Sequence, residues 1–254
     1  LYLKKIEFFQ ENSIQLNLGV KADRIDRDNC IIHLSDNRSI GYDKLVLATG
    51  SRVRKLKFPG SDLEGINYLR GIDDAESLKD GLLKSKNLVI VGAGYIGLEV
   101  AAVATEFDTK ITVIEMADRV MNRTVDPIIS AYYQELHSKN GVDFILNESL
   151  EKVDGNETVE QVICSGGSSI EADILVIGAG VIPNIGLAEE SGLSCDNGIC
   201  VDEYGQTEDT KVFACGDCTN HPNEKLNRKL RLESVHNAME QSKTCLLYTS
   251  QRPR

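Results

Sequence analysis

Asn87-Leu88-Val89-Ile90-Val91-Gly92-Ala93-Gly94-Tyr95-Ile96-Gly97-Leu98-Glu99 is the stretch that decides the fold. Its short, β-branched apolar run reads as a strand buried in a parallel sheet. The run ends in Gly-x-Gly-x-x-Gly. An amphipathic stretch follows, with Ile96, Val100, Val103 and Phe107 at helical spacing as the expected apolar face. Strand, glycine turn and helix in that order make a dinucleotide-binding fingerprint. Gly92 permits the tight turn, Gly94 lets backbone approach a pyrophosphate, and Gly97 lets the helix pack closely on the sheet. The free N–H groups of the helix N-terminus, where Tyr95 and Ile96 stand, would face the phosphates.

The glycines alone are a weak signal, and their partner lies downstream. Lys110-Ile-Thr-Val-Ile-Glu115 reads as a second strand ending in a carboxylate. Glu115 lies roughly 20 residues past the glycines, where an acid accepts hydrogen bonds from a ribose 2′-hydroxyl. It also repels a 2′-phosphate, so NADH is expected to be preferred over NADPH. The plainer alternative is a glycine turn without ligand and a solvated Glu115; it leaves the joint occurrence of strand, spacing and acid without a reason.

A chain of 254 residues accommodates one large domain or two smaller ones. With 41% apolar and 26% charged residues the composition is that of a folded globular protein. No apolar stretch is long enough to span a bilayer as a helix, so no membrane partner is expected. A net charge of −11 argues against nucleic acid. Seven scattered cysteines suggest no disulfide framework and a reducing, cytoplasmic setting. The chain opens at Leu1 in sequence that reads like the interior of a domain, so a fragment is expected.

Residues 1–44 read as a helix remnant followed by short strands at Ile14–Leu18, Val20–Ile25, Cys30–Leu34 and Ser39–Tyr42, the last two flanking an Asp36-Asn37 turn. Lys44 to Ala48 is a buried strand stopping at Thr49-Gly50. Asp73–Leu83 is an expected helix. Asp126-Pro127 starts another, with Ile129, Tyr133 and Leu136 as its apolar face and Asn140-Gly141 as its end. Val142–Leu146 is a third parallel strand. Leu150–Val153, Thr158–Cys164 and Ser169–Glu171 form an expected antiparallel meander. Ile174–Ile177 runs into Gly178-Ala179-Gly180, and Val212 to Cys215 runs into Gly216-Asp217. A carboxylate at such a strand end lies where α/β sheets bind ligands. Cys215-x-x-Cys218 also has dithiol spacing. Lys225, Arg228, Lys229 and Arg231 are either a solvated loop or a docking patch for an acidic partner. A helix is expected from Ser234 to Lys243. Cys245–Arg254 is expected not to continue it and to be a foreign tail.

These motifs together resemble the FAD-dependent pyridine nucleotide-disulfide oxidoreductase superfamily, and within it the ferredoxin-reductase branch of putidaredoxin and rubredoxin reductase-like proteins. The matching stretches are Tyr42–Gly50, Val91–Glu99, Gly178–Asn184, Gly216–Cys218 and Arg231–Ala238, the last (Arg-Leu-Glu-Ser-Val) pointing to the branch. The resemblance covers about residues 1–244. It implies an α/β, two-dinucleotide-binding-domain flavoprotein fold: a Rossmann-like NAD domain inserted in a partial FAD domain, with an antiparallel β meander. The expected boundaries are 1–84 for a partial FAD-binding domain, 85–180 for the NAD-binding domain, 181–244 for the FAD return segment, and 245–254 for the tail. A first FAD fingerprint before Leu1 and a C-terminal domain after Lys243 are expected to be missing.

The resemblance further implies that Gly92, Gly94, Tyr95, Ile96, Gly97 and Glu115 hold NADH, with Glu99 and Gly180 near its ribose and nicotinamide. On the FAD side, the Ala22 backbone would meet adenine. Thr49, Gly50 and Arg70 would line the isoalloxazine–pyrophosphate region, Gly216-Asp217 would bond the ribitol, and Val235 would open the helix under the flavin pyrimidine edge. A helix N-terminus there stabilises the anionic reduced ring by up to about 2 kcal/mol. The implied activity is hydride transfer from NADH to FAD and single-electron transfer to a ferredoxin or rubredoxin-type iron–sulfur protein. It needs no catalytic side-chain acid, base or nucleophile and no metal ligands. The full-length protein could form a homodimer. Three alternatives stay open: a disulfide or peroxide reductase of the same superfamily, an NAD-binding redox sensor similar to apoptosis-inducing factor, and an inactive fragment with a folded NAD domain only.

Overall fold

Five parallel strands run in the order Ile66–Asn67, Ile174–Ile177, Asn87–Val91, Lys110–Glu115, Val142–Leu146 in the computed structural model, which describes residues 4–249. They are the spine of a unit spanning Arg52–Ile182; a second unit joins the residues up to Ser51 with those from Pro183 onward. Alternation along the strands splits the first unit's core into two faces. Leu88, Ile90, Ile111, Val113 and Val176 pack against Leu78 and Leu82 of helix Ile72–Leu82 and Leu98, Val100 and Ala101 of helix Tyr95–Ala104. Val89, Ile114, Leu175 and Ile177 face the other way, onto Val153, Val162 and Cys164 of the antiparallel meander Leu150–Asp154, Gln161–Cys164, Ser169–Glu171. With helices on one face and a meander on the other, the central strands carry buried apolar residues on both faces, as a doubly covered parallel sheet requires.

The first expected apolar helix face is corrected at Ile96 and Val103 but holds at Val100 and Phe107, and the second is corrected throughout. Helix Tyr95–Ala104 buries Gly97, Leu98, Val100, Ala101 and Ala104, while Ile96 is 37% and Val103 is 56% exposed. Gly97 faces inward because the helix crosses the glycine turn so closely that a Cβ there would lie 1.9 Å from Gly92 O. Phe107 lies beyond the helix end and is partly buried on the same core. Helix Pro127–Lys139 buries Ser130 and His137 and leaves Ile129, Tyr133 and Leu136 facing solvent. Its rotation follows from two polar anchors: the Ser130 hydroxyl donates to Val120 O at 2.6 Å, and Asp126 Oδ1 caps the Ile128 N–H at 3.0 Å.

In the second unit, strand Leu45–Leu47 pairs in parallel with Val212–Ala214. Ala22–Asp26, Ile31–Leu34 and Ser39–Gly41 form an antiparallel sheet, and Ile199–Cys200, Thr219–Asn223 and Arg228–Leu230 a mixed one. Ile25, Leu45, Leu47, Ile199, Val212 and Ala214 are central to its core. Helix Ile6–Glu11 stands where the helix remnant was expected. The expected strand at Ile14–Leu18 does not form: Ser13 takes a left-handed φ of 56° and Ile14, Leu16 and Leu18 are exposed without a ladder partner. The last helix, Val235–Thr249, does not stop at Lys243. It continues because Cys245 fits a fully buried site, its Sγ 3.4 Å from Ala214 O. Residues 250–254 of the expected tail lie outside the described residues. Among the described residues no helix is long and apolar enough to cross a membrane.

Candidate functional site

The glycine turn is held from below by groups that leave its outer side open. Gly92, at φ 100°, passes over Gly178, and a Cβ on it would lie 2.7 Å from Gly178 O. The Ala93 N–H donates to Glu115 Oε2 at 2.7 Å, and Ala93 O accepts from Met121 N–H at 2.9 Å. Met121 adopts φ 51°, rare for a residue with a side chain, which bends the segment after Glu115 back under the turn. A Cβ on Gly94, in contrast, would meet nothing within 4 Å. The first helical bond, Leu98 N–H to Gly94 O at 3.0 Å, leaves the N–H groups of Tyr95, Ile96 and Gly97 ahead of the helical ladder. Open space above a glycine, beside a helix N-terminus, suits a pyrophosphate.

Glu115 therefore has a second task that its spacing did not reveal. One carboxylate oxygen grips the turn and the other accepts the Ala117 N–H at 2.9 Å, so its orientation is set before any ligand arrives. Glu99 and Tyr95 line a cleft of about 400 Å³ together with Leu98, Met121, Tyr133 and His137. Burial alone pushes the His137 imidazole below its ordinary pKa, so it is a neutral group there. Gly180, at φ 84°, accepts the Arg54 N–H at 3.0 Å through its carbonyl. Arg70 belongs to this same unit, not to that of Thr49 and Gly50; its N–H donates to Asp74 Oδ2 at 2.9 Å beside the start of helix Ile72–Leu82.

The other expected residues meet in the second unit. Thr49 Oγ1 donates to Asn184 O at 2.6 Å, Asn184 Nδ2 donates to Thr49 O at 2.9 Å, and Asn184 N–H donates to Gly50 O at 2.9 Å. This clasp ties two motifs that lie 135 residues apart. Asp217 accepts from the buried Ser51 hydroxyl at 2.9 Å, just after the left-handed Gly216, φ 82°. Val235, 74% exposed, begins the last helix, whose entry is capped by Ser234 Oγ accepting the Asn237 N–H at 3.1 Å. Ala22 starts its strand at a bulge opposite Leu34. Ser51 and Asn184 went unnoticed as site builders because their partners are distant in sequence. Cys218 is buried, with Sγ 3.3 Å from Cys215 O and 3.6 Å from Leu47 O, and Cys215 packs with Phe213 and Cys245. Of the basic segment, Arg228 and Lys229 are exposed, while Arg231 is turned back onto Glu233 and Asn197.

The sequence pattern of the pyridine nucleotide-disulphide oxidoreductases matches residues 4–242. Rhodocoxin reductase of Rhodococcus erythropolis is 41% identical over 97% of this chain and 58% of its own length. A rubredoxin-NAD(+) reductase of Pseudomonas putida is 38% identical over 94% of this chain and 63% of its own. The covalent complex of putidaredoxin reductase with putidaredoxin superposes with a TM-score of 0.94 at 37% identity, over 100% of this chain and 63% of the matched one. The chain thus spans about 60% of the length of the proteins it matches.

Proposed function

Because the chain belongs to the pyridine nucleotide-disulphide oxidoreductase family, we propose that the protein it comes from is an NADH-dependent FAD flavoprotein. It would pass electrons through FAD to a ferredoxin or rubredoxin-type iron–sulfur protein. The observation that carries this reading is the glycine turn itself, open at Gly94 and clamped by the carboxylate of Glu115. In this reading residues 85–180 form the NAD domain, flanked by 1–84 and 181–244 as FAD-domain segments, and the setting is cytoplasmic.

FAD, when bound, supplies the conversion between a two-electron donor and one-electron acceptors. The chain's residues bind and orient. The N–H groups of Tyr95, Ile96 and Gly97 take the pyrophosphate of NADH. Glu115, already turned by the Ala93 and Ala117 N–H groups, accepts the ribose hydroxyls and repels a 2′-phosphate. Gly180 and Glu99 would flank the nicotinamide end, and Arg70 would serve the flavin side. Thr49-Gly50, held by Asn184, and Gly216-Asp217, held by Ser51, form a rigid rim for FAD. The N-terminus of helix Val235–Thr249 supplies partial positive charge at the pyrimidine edge. Arg228 and Lys229 suit an acidic partner.

The relatives named for rhodocoxin and rubredoxin reduction support the choice of acceptor class over a disulfide. The test uses the intact protein: record the visible spectrum, then add NADH and NADPH separately without oxygen. Bleaching of a flavin spectrum by NADH, and much less by NADPH, is expected. A colourless protein, or equal response to both nucleotides, overturns the reading.

A further inference from the structure

Gln241 lies on the last helix, two turns after Val235, and its side chain reaches into the Gly216 turn. The Gly216 N–H donates to Gln241 Oε1 at 2.8 Å. The Thr219 hydroxyl, fully buried, has one proton and two acceptors in reach: Gly216 O at 2.9 Å and Gln241 Oε1 at 3.0 Å. On the other side of the amide, Gln241 Nε2 lies 2.9 Å from His221 Nδ1. These partners leave the amide one orientation. A backbone N–H can only donate, so the oxygen must face Gly216 and the NH2 must face His221. His221 Nδ1 must then accept, which makes His221 neutral with its proton on Nε2. Burial pushes the His221 pKa down, in the same direction.

We infer that Gln241 is a positioning residue for the FAD site: it locks the Gly216–Asp217 turn to the helix whose N-terminus lies at the pyrimidine edge. The inference rests on the flavin reading above for its consequence, but not for its geometry. A single amide thus keeps two separate parts of the rim in register, the turn that presents Asp217 and the helix that presents Val235. Ser51 fixes the Asp217 carboxylate from one side, and Gln241 fixes the backbone behind it from the other. The Gly216 N–H selects the amide orientation, and neutral His221 accepts from the NH2 that this orientation presents.

Two variants test it. Gln241→Leu keeps the size and removes all three contacts, to Gly216, Thr219 and His221, whereas Gln241→Glu keeps an acceptor for Gly216. Amide hydrogen exchange of Gly216, read by NMR in the full chain without cofactor, is expected to quicken roughly tenfold or more in Gln241→Leu, as one buried N–H loses its acceptor. It should stay near wild type in Gln241→Glu. In that variant the titration of His221 should move up, since a carboxylate replaces the amide beside Nδ1. In the intact protein, Gln241→Leu should weaken FAD retention and shift the flavin visible spectrum, with NADH affinity unchanged. Unaltered Gly216 exchange in Gln241→Leu overturns the inference whatever the flavin does. Faster exchange with unaltered FAD affinity and spectrum overturns its functional half. Absence of flavin from the wild-type intact protein overturns the parent reading alone, and the exchange data still decide whether Gln241 holds the turn. Should Gln241→Leu not fold, wild-type His221 titration in Gln241→Glu refutes the contact.

Discussion

Alanine at Gly97 and alanine at Gly94 should separate what the glycine turn does for the fold from what it does for a ligand. At Gly97 the new Cβ would lie 1.9 Å from Gly92 O and 3.1 Å from Gly92 C. A carbon and a carbonyl oxygen rarely approach closer than about 3.3 Å, so helix and turn must part by about 1.4 Å. The obstructing atom is backbone and cannot rotate away. The turn cannot yield easily either, because Ala93 is held by Glu115 on its N–H and by Met121 on its carbonyl. Overpacking of this kind costs about 1–3 kcal/mol. At Gly94 a Cβ meets nothing within 4 Å and φ is −81°, a value any residue adopts, so stability should stay within about 0.5 kcal/mol of wild type. The same Cβ would fill the space through which a pyrophosphate reaches the backbone, and NADH affinity should fall by about tenfold or more, the worth of one charge-assisted hydrogen bond. Urea denaturation followed by circular dichroism and NADH titration by calorimetry read the two effects. A Gly97→Ala chain as stable as wild type, or a Gly94→Ala chain that binds NADH normally, refutes the reasoning.

Glu115→Gln should bind NADH less tightly and lose most discrimination against NADPH, because one of its two backbone N–H donors would then face an amide NH2; nucleotide titrations in parallel check this. Reversing charge at Arg228 and Lys229 in the intact protein should slow reduction of an acidic iron–sulfur partner, most at low salt. Oxidation of NADH by a small artificial acceptor should be unaffected, and salt-independent partner kinetics would speak against docking there. His137 and His221 are both held below the ordinary imidazole pKa by burial. The unfolded chain therefore binds protons that the folded chain refuses, so stability is full above about pH 6.5 and declines as pH falls below it. Urea midpoints between pH 7.5 and 5.5 should show that decline, and substituting His137 with Gln should flatten it; a midpoint that does not move with pH contradicts the burial argument.

Some of this molecule was legible in one dimension because its signals are local. A β-branched run, a glycine triplet and a carboxylate at the end of the next strand are neighbours in sequence and in space. Asn87–Val91, Lys110–Glu115 and Val142–Leu146 therefore form the strands that their residues predict. The meander was legible for the same reason, since Gly155 and Gly166-Gly167 punctuate it. Helix existence was legible as well, but helix facing was not. The apolar spacings at Ile96 and Val103, and at Ile129, Tyr133 and Leu136, mark exposed sides, because a close backbone crossing at Gly97 and a buried hydroxyl bond at Ser130 set the rotation. The end of the last helix was misjudged because only the pocket beneath Ala214 shows that Cys245 has a place to pack.

What the sequence determined by itself was the chemistry on offer: which glycines can turn, which carboxylate stands at the strand end, and which residue opens the last helix. Only the tertiary structure decided how those groups are held. Glu115 grips Ala93, Asn184 clasps Thr49 across 135 positions, and Gln241 reaches Gly216 across 25. The physical reason is that a hydrogen bond is specified by the position and direction of two atoms, and chain spacing determines neither once the partners lie on different elements.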